Sequence, residues 1–180
     1  VELTGRPLTD HDSPLAPEVF LRSTTLTTMD DDMAHFARSF GRNKRSLTRL
    51  MRAIGEQVTF LPGSTTVNHT ASQAFAQGSG VCQDHTHIFI ACCRHLGVPA
   101  RYISGYVHST DPNHLSTHAW AEVYLGQSWH TFDVVNNKSL ADNHIKLAVG
   151  LDYRDAAPVR GIRSGGGEET LASVAHVYEQ

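Results

Sequence analysis

No stretch of this 180-residue chain approaches the roughly 20 consecutive apolar residues that a bilayer-spanning helix needs, and no apolar leader segment is evident, so no membrane partner is expected. Charge of one sign is missing too. Fifteen Lys and Arg against eighteen Asp and Glu leave a net charge of -3, so no global field argues for nucleic acid. Cysteine is scarce: there are three, an odd number, and Cys92 and Cys93 are adjacent. That argues against a disulfide framework and for a reducing, cytoplasmic compartment. No calcium loop of the Asp-x-Asp-x-Asn-Gly kind is present, so no metal or other cofactor is expected. Gly165-Gly166-Gly167 lacks the lysine-serine/threonine pair of a phosphate cradle and reads as a flexible loop. There is no internal repeat, and nothing speaks to oligomeric state. What remains is a chain 40% hydrophobic, able to bury one sizeable core.

Pro7, Pro14 and Pro17 among polar residues predict an extended arm or linker over 1–19, followed by one domain over 20–180. Asp30-Asp31-Asp32 suits the start of a short helix with Met33, Phe36, Ala37 and Phe40 on one face. Leu47, Leu50, Met51, Ile54 and Val58 make the apolar stripe of a second helix from about Ser46. Thr70 caps a third, to Gln77. A fourth begins at Cys82 after Gly78 and Gly80, continues through Ile88, Phe89, Ala91, Cys92 and Leu96, and stops at Gly97. The period then changes to two, predicting strands over Arg101–Val107, His118–Leu125, Trp129–Val134, Ile145–Val149 and Leu171–Tyr178. Helices first and strands after predict an α+β fold, an antiparallel sheet packed on the cysteine helix.

Chemistry concentrates at three positions. Cys82 stands at a helix start, where the helix dipole and unpaired amides favour a thiolate. Cys92 and Cys93 lie mid-helix among apolar neighbours and read as core. His118 opens an alternating segment whose face carries Trp120, Glu122 and Tyr124. If the following turn has two central residues, Gly126-Gln127, then Asp133 opposes Trp120 and lies diagonal to His118, roughly 7 Å or less between β-carbons. A three-residue turn without a bulge would put them on opposite faces. A nucleophile, a histidine to share its proton and a carboxylate to orient that histidine would complete a Cys-His-Asp system. His85 and His87 point about 200° apart on a helix and lack the paired spacing of a zinc site, so no metal is assigned to them. Asp84 is expected to complement the first helical turn.

The ordered blocks Gly80-Val81-Cys82-Gln83-Asp84, Cys93-Arg94-His95-Leu96-Gly97-Val98-Pro99-Ala100-Arg101-Tyr102, Ser104-Gly105-Tyr106, His118-Ala119-Trp120-Ala121-Glu122-Val123-Tyr124, Trp129-His130-Thr131-Phe132-Asp133 and Gly150-Leu151-Asp152-Tyr153 through Pro158-Val159-Arg160-Gly161 carry a resemblance. From about Phe20 onward the chain resembles the transglutaminase-like superfamily of papain-type cysteine enzymes, in its bacterial branch. The resemblance implies a papain-like core, Cys82 as nucleophile, His118 as general base and acid, and Asp133 as its orienter. It implies acyl transfer or hydrolysis on peptide or glutamine amides through a thioester, with peptidase or amidase activity favoured over cross-linking, and a protein or peptide substrate. It also implies a β-rich domain ahead of this one. Two positions depart from the pattern: Val134-Val135 where Pro-Thr usually follows the aspartate, and Leu151 where arginine is usual. A non-catalytic peptide-binding module that keeps the fold is the alternative.

Overall fold

Helix starts in this chain carry their own caps. The side chains of Asp30, Asn43 and Thr70 accept from the backbone N–H groups of Met33, Ser46 and Gln73, satisfying donors that a helix start leaves without partners. In the computed structural model, which describes residues 15–107, 117–139 and 143–157, these caps open α1 (Asp31–Arg38), α2 (Lys44–Gln57) and α3 (Ala71–Gln77). Two short strands, β1 (Thr59–Phe60) and β2 (Ser79–Gly80), pair in parallel on either side of α3. Then come α4 (Cys82–His95), β3 (Ala100–Val107), β4 (Thr117–Leu125), β5 (Ser128–Phe132), β6 (His144–Gly150) and a single-turn α5 (Tyr153–Ala156).

The four larger strands form one antiparallel sheet in the order β5-β4-β3-β6. Helix α4 lies between that sheet and the other helices, touching α1, α2 and α3 on one side and β3 and β4 on the other. It is therefore buried from Gln83 through Arg94 with hardly a break, which is why its sequence shows no clean polar stripe. The core joins Leu47, Leu50 and Ile54 of α2 to Ile88, Phe89 and Cys92 of α4 and to Ala119, Ala121 and Phe132 of the sheet.

Burying polar groups on α4 is costly unless they find partners. Arg94 donates to the carbonyls of Phe20, Ala100 and Leu151 and to Thr27 Oγ1 at 2.7–3.2 Å. One guanidinium so ties the segment before α1, the start of β3 and the end of β6 to the central helix. The last residues of the predicted arm are part of this packing: Pro17–Leu21 is a 3-10 helix, and Phe20 is buried edge-on against Trp129 at 5.3 Å. Residues 1–14, the late block Pro158–Gly161 and the predicted strand Leu171–Tyr178 lie outside the described residues.

Candidate active site

The turn after β4 settles which face Asp133 takes. Leu125 pairs with Ser128 across Gly126-Gln127, Gly126 adopts φ +70°, and the ladder runs Tyr124↔Trp129 through Ala121↔Phe132. In that register Asp133 falls on the face of His118. Just past the end of β5, Asp133 is held by a reciprocal backbone pair with Lys138 at 2.8 and 3.0 Å. His118 Nε2 and Asp133 Oδ2 are 2.8 Å apart. Cys82 is near enough to the same imidazole to raise its pKa.

The start of α4 is fixed by a carboxylate. Asp84 Oδ2 accepts from Val81 N at 2.8 Å and from Thr65 Oγ1 at 2.6 Å, so a residue of the first turn folds back on the residue before Cys82. Gly80 is required for this: a β-carbon there would stand 2.7 Å from Asp84 Cβ. Cys82 is half-buried, whereas Cys92 and Cys93 are fully enclosed. Burial pushes the Cys92 thiol up to about 12 and Cys93 well above its ordinary value.

Burial alone would lower the pKa of His118, but hydrogen bonds to Asp133 and Cys82 and the charges of both outweigh it, raising the imidazole to about 9. Burial likewise disfavours the Asp133 anion, yet hydrogen bonds from His118 and His144 hold the carboxyl far below the usual carboxylate range. Two of the carboxylate's partners have no signal in the sequence. His144 Nε2 lies 2.9 Å from Asp133 Oδ2, and Asn136 gives Nδ2 to Oδ2 at 2.8 Å and its backbone N–H to Oδ1 at 3.1 Å. Asn136 sits in a turn, and His144 opens a strand on the far edge of the sheet. Neither position is marked by local pattern.

Among the described residues, His118, Asp133 and His144 are the cluster whose ligand atoms all lie within 4.8 Å of one another. Closing on a cation would strip both Nε2 hydrogens. His144 would then have to carry its hydrogen on Nδ1, which is buried with no acceptor. The donor set therefore reads as a hydrogen-bond network around a carboxylate. The other paired histidines of α4 are engaged by backbone. His85 meets the carbonyls of Val81 and Val58 at 2.9 and 2.8 Å. His87 Nε2 accepts from Tyr153 N at 3.2 Å, and burial together with Arg94 lowers its pKa to about 3.

A model of the transglutaminase-like superfamily matches residues 34–134, more than half of the chain and the span that holds Cys82, His118 and Asp133. The chain belongs to the transglutaminase-like superfamily. The Mycobacterium leprae protein ML0607, itself uncharacterized, is 30% identical over 87% of this chain and 59% of its own length. A Cytophaga hutchinsonii protein provisionally named a cysteine protease superposes with a TM-score of 0.68 at 30% identity, over 77% of this chain and 48% of that one. The periplasmic domain of Pseudomonas aeruginosa TgpA shares the fold, with a TM-score of 0.52 at 16% identity over 71% of this chain and 51% of that domain. The chain thus spans about half to three fifths of the first two relatives. The mixed α+β architecture is that of transglutaminase-like, papain-like proteins, and family and fold are those of cysteine-based enzymes broadly. No helix among the described residues is long and apolar enough to cross a membrane.

Proposed function

We propose that this transglutaminase-like domain, residues 20–180, is a cytoplasmic cysteine hydrolase acting on peptide or glutamine amides through a thioester. Cys82 is the nucleophile, His118 the general acid and base, and Asp133 the group that orients and charges His118. The observation that carries this reading is the His118–Asp133 contact at 2.8 Å, with Cys82 at a helix start near enough to the same imidazole to raise its pKa. The imidazolium beside Cys82 supports a thiolate. That thiolate adds to the amide carbon, and the oxyanion lies near the first N–H groups of α4, which have no intrahelical acceptor. His118 protonates the amine as the C–N bond breaks, then takes a proton from the water that adds to the thioester carbonyl, and the C–S bond breaks to release the acid and return the Cys82 thiolate. Hydrolysis is proposed to outweigh transfer because water competes with any amine unless a site excludes it.

The test offers the purified chain a panel of glutamine-bearing peptides with and without a labelled primary amine. Ammonia release, amine incorporation and backbone cleavage are measured together. A covalent peptide adduct on Cys82 that is absent in Cys82→Ala supports the mechanism. Turnover undiminished in Cys82→Ala sinks it, and amine incorporation dominating at low amine concentration sinks the preference for hydrolysis.

A further inference from the structure

The Asp133 carboxylate carries more donors than a histidine orienter needs. Oδ2 meets His118 Nε2 at 2.8 Å, His144 Nε2 at 2.9 Å and Asn136 Nδ2 at 2.8 Å. These donors arrive from β4, from β6 and from the turn after β5, three separate parts of the fold. The His144 side chain is only 1% exposed and its ring is set edge-on to Trp120 at 4.8 Å, so it has little freedom to move. Its Nδ1 is buried and unpartnered, so the ring hydrogen sits on Nε2, directed at the carboxylate. Asp133 is itself fully buried and has no solvent to fall back on.

We propose that His144 is a positioning residue for this centre: with His118 and Asn136 it fixes the Asp133 carboxylate in the one orientation that holds the His118 ring against Cys82. This rests on the cysteine–histidine reading above. Without His144, three hydrogen bonds remain but from two residues only, His118 on Oδ2 and Asn136 on both oxygens, so the pull on the carboxylate shifts to Asn136. The dry side of Oδ2 is left unsatisfied, and the group turns toward Asn136. His118 then loses its anchor. The loss of alignment outweighs the small gain in negative charge left on Oδ2, because a hydrogen bond to an ion fails steeply with distance and angle.

Among the described residues, several other charged and titratable groups lie around this network. Cys82 faces His118 from α4, and Asp84 is taken by Val81 and Thr65. Farther along the same sheet face, Glu122 of β4 is bound by Arg101 of β3 at 2.6 Å and Lys146 of β6 at 3.0 Å. Tyr102 of β3 is buried, and its phenol is pushed well above its ordinary range by that burial and then by Cys82.

The experiment needs no substrate. Iodoacetamide alkylation of Cys82 is timed in the full chain at about pH 6.5 and about pH 10, on either side of the value near 9 to which His118 is raised. His118→Gln defines how much of the rate at the lower pH depends on the imidazole. His144→Leu and His144→Asn are expected to lose most of that enhancement, roughly tenfold or more, while matching the wild type at the higher pH. His144→Gln, whose amide nitrogen reaches the place of Nε2, is expected to restore the rate to within about threefold. Glutamine and asparagine differ only in reach, so this pair decides the matter even if His144→Leu does not fold. Wild-type rates in His144→Leu or His144→Asn, or a glutamine variant as slow as asparagine, overturn the proposal. A His118→Gln protein that alkylates as fast as wild type at the lower pH instead overturns the cysteine–histidine reading beneath it.

Discussion

Gly105 is where one added methyl group should do most harm. It pairs with His118 on β4 and with Lys146 on β6, beside a register shift between Ser104 and Gly105. A β-carbon at Gly105 would run into the carbonyl oxygen of Ile145 and stand 2.7 Å from Trp120 Cη2. The indole must retreat by about 1 Å to regain an ordinary carbon contact, and strand β6 must move farther, because backbone cannot swing aside. Trp120 is 1% exposed and pressed against His144, so its retreat also displaces the carboxylate network. Overpacking of this kind costs roughly 1–3 kcal/mol, and about 1 kcal/mol more follows for each ladder hydrogen bond that β6 gives up. Gly105→Ala is therefore expected to destabilise by about 3 kcal/mol, a fall of roughly 6–12 °C in Tm for a chain of this length. Gly55→Ala is the control. It lies in α2 with the nearest contact of its added carbon an ordinary 3.7 Å, so it should stabilise by up to about 1 kcal/mol. Urea and thermal unfolding followed by circular dichroism measure both. A Gly105→Ala protein within about 0.5 kcal/mol of wild type would refute the argument that β6 is pinned against that glycine.

Four further outcomes are expected. Iodoacetamide with peptide mapping should modify Cys82 first, and Cys92 or Cys93 only on unfolding, since burial holds both thiols protonated; native labelling of either would contradict it. Asp133→Asn should cost turnover roughly 10³–10⁴-fold with the fold retained, because the amide can no longer charge-pair with His118; a loss below tenfold would remove Asp133 from the mechanism. Arg94→Met should destabilise by about 3 kcal/mol or more by orphaning the carbonyls of Phe20, Ala100 and Leu151, with Arg94→Lys intermediate; denaturant titration showing no difference between the two would argue against a multi-point tie. His118 is raised from 6.5 to about 9 in the folded state, so its stabilisation is complete below about pH 6.5 and is lost as pH rises through about 9. That amounts to about 3 kcal/mol at most, and a His118→Gln variant should lack the decline; parallel stability curves for the two proteins would refute the pairing.

Much of the helical half of the molecule is legible residue by residue. Asp30 and Thr70 announce their helices as caps, and the stripe Leu47, Leu50, Met51, Ile54 faces the core as its spacing requires. The strands from Arg101 to Val149 differ from their predicted limits by no more than two residues at an end. The two-residue strands Thr59–Phe60 and Ser79–Gly80 escape notice, because so short a parallel pair leaves no period to read. The 3-10 helix at Pro17–Leu21 escapes too. Its order comes from Arg94 gripping the Phe20 carbonyl from 74 residues away and from the face of Trp129.

By itself, the sequence determined on which kind of element each candidate side chain stands: a thiol opening a helix, a histidine opening a strand, an aspartate ending the next. Those are local properties, set by caps, glycine breaks and the change of period from 3.6 to two. Only the tertiary structure decided what surrounds Asp133. Strands β5 and β6 lie at opposite edges of the sheet, yet Asp133 just past one and His144 at the start of the other are 2.9 Å apart. The sheet must curl for its two edges to meet at that end, and the curl comes from strand twist, the shift at Gly105 and the packing of Trp120 beneath. Curvature is a sum over many small backbone rotations and contacts between distant residues, so no window of the sequence contains it.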